Sequence, residues 1–505
     1  MKTESKAVDK KKLSMFQEVY LIAEPYTYAA VVRDPATQKT RYEVIEPSLR
    51  KREKNQLQEI KDILIQEIEV SLKDLETKEK AKEYLKNKVQ EVIRNYHMEV
   101  ADEAVDKLLY YIVRDFIDYG KIDPLMKDHM IEDISADGVN IPIYVWHREY
   151  ESLPTNIIFQ KTEELDSFVV RLAYLAQKHI SLARPILDAA LPDGSRVQLT
   201  YGSEITRRGS TFTIRRFRVD PLTISDLISF NTLSSEMAAY FWYAIENRAS
   251  ILVAGGVATG KTTTLNCLSM FIKPELKVVS VEDTAELNLP HENWIPSVVR
   301  PGYRSGGEKT SAITLFDLLK AAVRQRPDYI IVGEVRGEEA YTLFQAMATG
   351  HLGMSTVHAE SFNAVAHRLE SEPLNIPRAL LTMIDIVMVQ LRTEIKGKPA
   401  RRALTVTEII ALDPKTKELL INDVYRWDSK RDAFLYSGRS YALERSMEKM
   451  GFGKDEVGAE LNRRKTVLEW MAKHKIRRYT DVASVIREYY SDPERVYRRA
   501  RVGVL

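Results

Sequence analysis

Gly255, Gly256, Val257, Ala258, Thr259, Gly260, Lys261 and Thr262 follow one another as an unbroken G-x-x-x-x-G-K-T pattern. Such a loop turns backbone N–H groups toward a polyphosphate. Lys261 would bring a point charge to the β- and γ-phosphates, and the Thr262 hydroxyl is of the type that ligates Mg²⁺. Thr263 completes the candidate binding stretch. The flanks fit this chemistry: residues 249–254 are a short apolar run suited to a buried strand, and residues 263–270 can continue as a helix.

A phosphate cradle alone leaves kinase, GTPase, ATPase and DNA motor open, and three later segments narrow the choice. In the first, an apolar run from residue 277 ends in the adjacent acids Glu282 and Asp283. At the carboxyl end of a parallel strand these would face the ligand crevice, where one could orient or deprotonate a water. A solvated acidic turn is the competing reading. In the second, residues 329–332 are a buried-strand signal followed by Gly333, Glu334 and, two residues on, Arg336. A carboxylate there can hold a Mg²⁺ shell through water, and a buried one needs a metal or arginine partner. The third contains His351 and His358, seven apart around a strand expected over 354–357. That spacing does not suit zinc. His358 could meet the γ-phosphate, although spacing alone leaves a structural histidine open.

These strand ends must be positioned by a sheet. From Leu233 to about residue 412 the pattern alternates helix and strand, which predicts an α/β domain with a parallel sheet covered on both faces. Residues 101–218 read as a mixed α/β domain, with a turn at Pro192, Asp193 and Gly194 and a basic cluster that includes Arg207, Arg208, Arg215, Arg216 and Arg218. Residues 1–100 form an extension of β-like stretches and charged helices, in which Leu57, Ile60, Leu64 and Ile68 make one apolar stripe. Residues 219–232 are expected to be a linker, and the domain from 233 to 505 ends in charged helices.

With 74 Lys+Arg against 72 Asp+Glu the net charge is +2, so bulk charge does not argue for nucleic-acid binding. Cys267 is the single cysteine and cannot form an internal disulfide. No run of about 18 apolar residues offers a membrane span. A cytoplasmic location, peripheral at the inner face of the cell membrane through partners, is the expectation.

Together these segments resemble the secretion-superfamily ATPases that drive type II secretion, type IV pili and archaella. The four boxes stand in the family's order: Walker A at 255–262, an aspartate box at Glu282 and Asp283, Walker B at 332–336, and a histidine box from His351 to His358. Asp188 through Arg196, and Thr213 through Phe217, resemble the family's N-terminal ATPase half. The segment Tyr42 through Pro47 and the charged N-terminal region are similar to the archaeal branch, in which pilus-assembly and archaellum motor ATPases occur. The resemblance implies a RecA-like P-loop ATPase domain preceded by a PAS-like mixed α/β domain at 101–218 and the charged, mainly helical extension. It also implies a homo-hexameric ring with ATP and Mg²⁺ bound between the two domains, working on a polytopic membrane platform protein. Glu282 would polarise water, Glu334 would hold Mg²⁺ through water, and His358 would contact the nucleotide. Arg196 and Arg215 or Arg216 match positions from which arginines reach the nucleotide, with an ordinary surface ion pair as the alternative for each. The tetracysteine zinc element of many bacterial members is absent.

A nucleotide-gated scaffold and a nucleic-acid translocase are the competing functional classes. The intact acids and histidine weigh against the first, and the near-neutral charge weighs against the second, so no specific nucleic-acid partner is expected.

Overall fold

The computed structural model describes residues 16–34, 37–67, 77–217, 220–300, 303–305 and 308–503. Two compact units emerge, one running up to Phe217 and the other from residue 218 onward. The N-terminal lysines and Ile68 lie outside the described residues.

The first unit is built on a nine-stranded sheet. Its strands are β1 (Phe16–Ala23), β2 (Thr27–Arg33), β3 (Thr40–Ile45), β4 (Ile131–Ala136), β5 (Pro142–His147), β6 (Glu151–Ile158), β7 (Ile186–Ala190), β8 (Arg196–Thr200) and β9 (Thr211–Arg215), in the order β1-β2-β3-β6-β5-β4-β9-β8-β7. The division expected at residue 100 is therefore not a boundary between compact units. Ala29, Val31, Tyr42 and Val44 alternate along β2 and β3 and share one core with Ile134, Leu172 and Phe212. The Tyr42 and Tyr20 hydroxyls both donate to the buried Asp128 carboxylate, which ties the early strands to the domain behind them. The charged region between is helical. Helices Lys51–Glu67, Lys78–Asn95 and Asp102–Phe116 enclose a small core of their own, including Ile60, Leu64, Leu85, Val89 and Leu108.

The second unit carries the remaining strands: β10 (Ile251–Gly255), β11 (Val278–Glu282), β12 (Trp294–Val298), β13 (Tyr303–Ser305), β14 (Glu308–Thr310), β15 (Tyr329–Val332), β16 (Leu352–His358), β17 (Ile386–Ile395), β18 (Lys398–Leu412), β19 (Leu419–Asp428) and β20 (Ala433–Tyr436). Its main sheet has the order β12-β11-β15-β16-β10-β17-β18-β19-β20. Strands β12 through β17 in that order are parallel, and β17 to β20 are an antiparallel meander. Placing β16 between β10 and β15 is the RecA-like arrangement. The continuous apolar runs follow from burial on both faces. Ile251 and Val253 enter one core and Leu252 and Ala254 the other; Tyr329 and Ile331 divide from Ile330 and Val332 in the same way.

Within the expected linker at 219–232, the described residues are not a free tether. Thr223 caps a short helix, Ile224–Ser229, and its backbone N–H donates to the Asp226 carboxylate at 3.0 Å. Ile224 and Leu227 are buried in the core of the second unit. At the other end, Val467, Leu468, Trp470 and Met471 of helix Lys454–Lys473 join that same core, so this charged C-terminal helix is packed into the second unit.

Candidate active site

Parallel register sets the site. Gly255 at the end of β10 pairs with His358 on β16 and with Gln390 on β17. On the far side of β16, Val332 of β15 lies beside Val281 of β11, and the Gly333 N–H extends that ladder to the Val281 carbonyl. The four boxes are thereby brought to one edge of one sheet, the carboxyl ends of its strands.

The loop geometry is that of a cradle. A Cβ at Gly255 would fall 2.5 Å from both the Gln390 carbonyl oxygen and the Thr259 hydroxyl, so no side chain fits there. Gly260 caps helix Lys261–Ser269 at φ 89°, in the left-handed region. Thr259 is buried and its hydroxyl donates to the Gly256 carbonyl at 3.0 Å, while Val257 and Ala258 form an exposed crest. Thr262 and Thr263 are half-buried on the first helical turn.

Lys261 is buried, and its Nζ donates to the Gly256 carbonyl at 2.8 Å and to His358 Nδ1 at 3.3 Å. A lysine cation has only donors, so Nδ1 must accept and the ring proton of neutral His358 sits on Nε2. Burial and the neighbouring Lys261 push the His358 pKa down, which keeps the ring neutral. Nε2 then donates to Glu334 Oε1, 3.1 Å away. Glu334 Oε2 accepts from Arg336 Nη2 at 2.7 Å, and Arg336 Nη1 lies 3.6 Å from Asp283. Burial raises the Glu334 pKa, but Arg336, His358 and Lys261 outweigh it and hold the carboxyl below the ordinary glutamate value. Burial likewise pulls Lys261 below the usual lysine range.

Glu282 is set apart from this chain. It is 2% exposed, and its Oε1 accepts the N–H groups of Glu286 at 3.0 Å and Leu287 at 3.1 Å. Burial drives its pKa up to about 7, against the lowering effect of those two bonds. Gly333 makes room for it, since a Cβ there would sit 3.2 Å from the Glu282 Cγ.

The three arginines lie in the first unit, apart from the boxes. Arg196 and Arg215 are directly opposite on β8 and β9, so their side chains leave the same face of the sheet, and both are exposed. Arg196 Nη2 is 3.9 Å from Asp188. Arg216 differs: its Nη1 donates to the backbone carbonyls of Asp128 and Ile131. It thus clamps the turn that carries the buried Asp128. Arg216→Ala is expected to destabilise the first unit by about 2–3 kcal/mol, since charged hydrogen bonds contribute on that order. Urea unfolding followed by a probe in that unit measures it.

Sequence reasoning did not single out Gln390, Arg401, Glu339 or Glu360. Gln390 is 2% exposed and accepts from the Thr264 hydroxyl at 2.9 Å. Its one signal was a polar residue inside the apolar run Ile386 to Leu391. Arg401 Nε donates to the Ala258 carbonyl at 3.1 Å. Buried Glu339 accepts the N–H groups of Arg336 and Gly337, pinning the turn after Glu334. Glu360 Oε1 would lie 3.1 Å from a Cβ at Gly256, beside the mouth of the loop. His351, by contrast, lies against the Ala346 carbonyl at the end of helix Glu339–Ala348, a structural position.

The residues present suit a polyphosphate and a divalent cation. Gly255, Gly256 and Gly260 leave the loop without a Cβ at three positions, and the Lys261 ammonium is held against the Gly256 carbonyl of that loop. The Thr262 hydroxyl and the Glu334 carboxylate are hard oxygen donors of the kind Mg²⁺ takes.

Residues 117–420 match the type II/IV secretion system protein family. An uncharacterised protein of Methanocaldococcus jannaschii is 38% identical over 397 residues, covering 78% of this chain and 71% of the relative. Type IV secretion system protein PtlH of Bordetella pertussis is 31% identical over 305 residues, covering 54% of this chain and 88% of PtlH. Among solved structures, the Legionella pneumophila ATPase DotB matches at a TM-score of 0.40 and 16% identity, covering 74% of this chain and 92% of DotB. The pilus retraction motor PilT with bound ADP matches at 0.39 and 20%, covering 66% and 88%. With three-fifths of its length inside the family match, and with the four boxes gathered at one sheet edge, the chain belongs to the type II/IV secretion system protein family.

Proposed function

We propose that this chain is a homo-hexameric ATPase motor that drives assembly of a type IV pilus-like filament or type II-like secretion. The observation that carries it is the hydrogen-bonded chain from Lys261 through His358 to Glu334, which links the phosphate loop to the Walker B carboxylate. In the proposed reaction a water oxygen attacks the γ-phosphorus of ATP, the bond to the β,γ-bridging oxygen breaks, and ADP and phosphate leave. Glu282, once ionised, accepts the water proton. Lys261 moves from the Gly256 carbonyl onto the phosphates. Thr262 and, through water, Glu334 would hold Mg²⁺, which when bound would supply positive charge to the phosphoryl oxygens. Arg196 and Arg215 are the candidate arginines for the charge on the transferring phosphoryl group; a cation supplied in this way contributes roughly 10³–10⁵ in rate.

Among the described residues no helix is long and apolar enough to cross a membrane. Work would then be delivered through a polytopic membrane platform protein, with the motor peripheral at the inner face of the membrane. Relatives in Methanocaldococcus jannaschii support an archaeal system, in which an archaellum motor is the alternative load. Lys261→Ala is expected to lower ATP hydrolysis by about 10²–10³-fold, the scale for removing one preorganised cation or donor. Equal turnover by the variant and the wild type would overturn the proposal. Stimulation by a pilin-system platform protein in liposomes, compared with an archaellar one, distinguishes the loads.

A further inference from the structure

The crest of the phosphate loop holds a residue where its backbone is strained. Ala258 has φ 58°, a left-handed conformation in which Cβ crowds the following carbonyl. Residues kept in such regions persist when the surroundings over-determine them. The side chain that does so here comes from far along the chain. Arg401 Nε donates to the Ala258 carbonyl at 3.1 Å. The arginine stem also lies across the base of the loop, because its Cδ would be 3.3 Å from a Cβ at Gly260.

The β17–β18 hairpin places that arginine. Gln390 of β17 is in register with Gly255 and accepts from Thr264, fastening the hairpin to the loop and its helix. On β18, Arg401 pairs across from Arg392, two positions beyond Gln390. One strand therefore fixes the root of the loop while its partner reaches the crest. A carbonyl engaged by a guanidinium is one not presented to an incoming phosphate.

We propose that Arg401 is a positioning residue that holds the Ala258 crest in its phosphate-binding shape. The proposal rests on the reading of the loop as an ATP site. It predicts a specific rescue, because glycine adopts φ near 58° without the steric cost that alanine meets.

The test is a fluorescent-ATP titration of the full chain in the presence of Mg²⁺. Arg401→Ala should weaken binding by about fivefold to tenfold, the effect of one lost hydrogen bond. Adding Ala258→Gly to Arg401→Ala should return the affinity to within about twofold of Ala258→Gly alone, a coupling that a double-mutant cycle reads directly. Amide hydrogen exchange without nucleotide should speed up over residues 256–260 in folded Arg401→Ala protein. Wild-type affinity in Arg401→Ala would overturn the proposal. So would a double variant as weak as Arg401→Ala, which would mean that the guanidinium contacts the nucleotide itself. A wild-type chain that binds no ATP would overturn the underlying ATP reading, while exchange in the loop would still decide whether Arg401 holds it.

Discussion

Glu282→Gln is expected to lose ATP hydrolysis by about 10²–10³-fold and yet to be more stable than the wild type at pH 8. The two effects share a cause. Glu282 is 2% exposed, and burial lifts its pKa to about 7, whereas an unfolded glutamate titrates near its ordinary value of 4.5. Below that ordinary value both states hold the proton and nothing is lost. Between it and about pH 7 the folded state keeps a proton that the unfolded chain has released, so stability falls as pH rises. Above about pH 7 both states are ionised and the full cost of a buried charge is present, on the order of 3 kcal/mol for a shift of this size. Glutamine copies the neutral acid: its side-chain oxygen still accepts from Glu286 and Leu287, and it never ionises. The stability gain of Glu282→Gln should thus be near zero at pH 4.5 and largest at pH 8. Denaturant unfolding of the nucleotide-free second unit across that range measures it. Wild-type hydrolysis should rise with pH around a midpoint near 7, because the proton acceptor must be ionised. A stability difference that is flat in pH, or a variant that turns over normally, would remove Glu282 from this role.

What the sequence revealed and what it concealed follow from the range of the interactions. Strands buried on both faces announce themselves as apolar runs. Residues 329–332 were therefore legible as a strand, and the acids and histidine at the strand ends were legible as site candidates. The partners of those residues were not. Gln390 meets Gly255 and Thr264 only through parallel register between strands about 130 positions apart. Arg401 looks like any charge in a basic hairpin until β18 is laid beside β17. The same limit bears on the divisions along the chain. Residues 219–232 have the Pro and Asn content of a linker, but Thr223 and Asp226 supply a helix cap, and Ile224 then finds a core built mostly from later residues. Strands β1 to β3 read as a separate extension because the acid that anchors Tyr20 and Tyr42, Asp128, comes 108 and 86 residues later. Arg216 and Arg215 are neighbours in sequence, and only strand alternation shows one bonded to the Asp128 turn and the other on the exposed face.

Glu334→Gln should separate the two carboxylates by their response. Hydrolysis is again expected to fall by about 10²–10³-fold. Stability, however, should change by less than about 1 kcal/mol, because the Arg336 side chain that pairs with Glu334 is 60% exposed and solvent screens such pairs. Unlike Glu282, Glu334 is held below the ordinary glutamate pKa, so it is already ionised at neutral pH and its loss brings no relief of buried charge. ATP affinity should remain within about threefold of wild type, since Lys261 and the loop backbone proposed to hold the phosphates are unchanged. The expected signature is normal nucleotide binding, a lost chemical step and a pH–stability curve that overlays the wild type. A Glu334→Gln protein that gains stability above pH 7 as Glu282→Gln does would show that the buried, proton-binding acid of this site had been assigned to the wrong strand. One that hydrolyses ATP at the wild-type rate would break the link from His358 through Glu334 on which the motor reading depends.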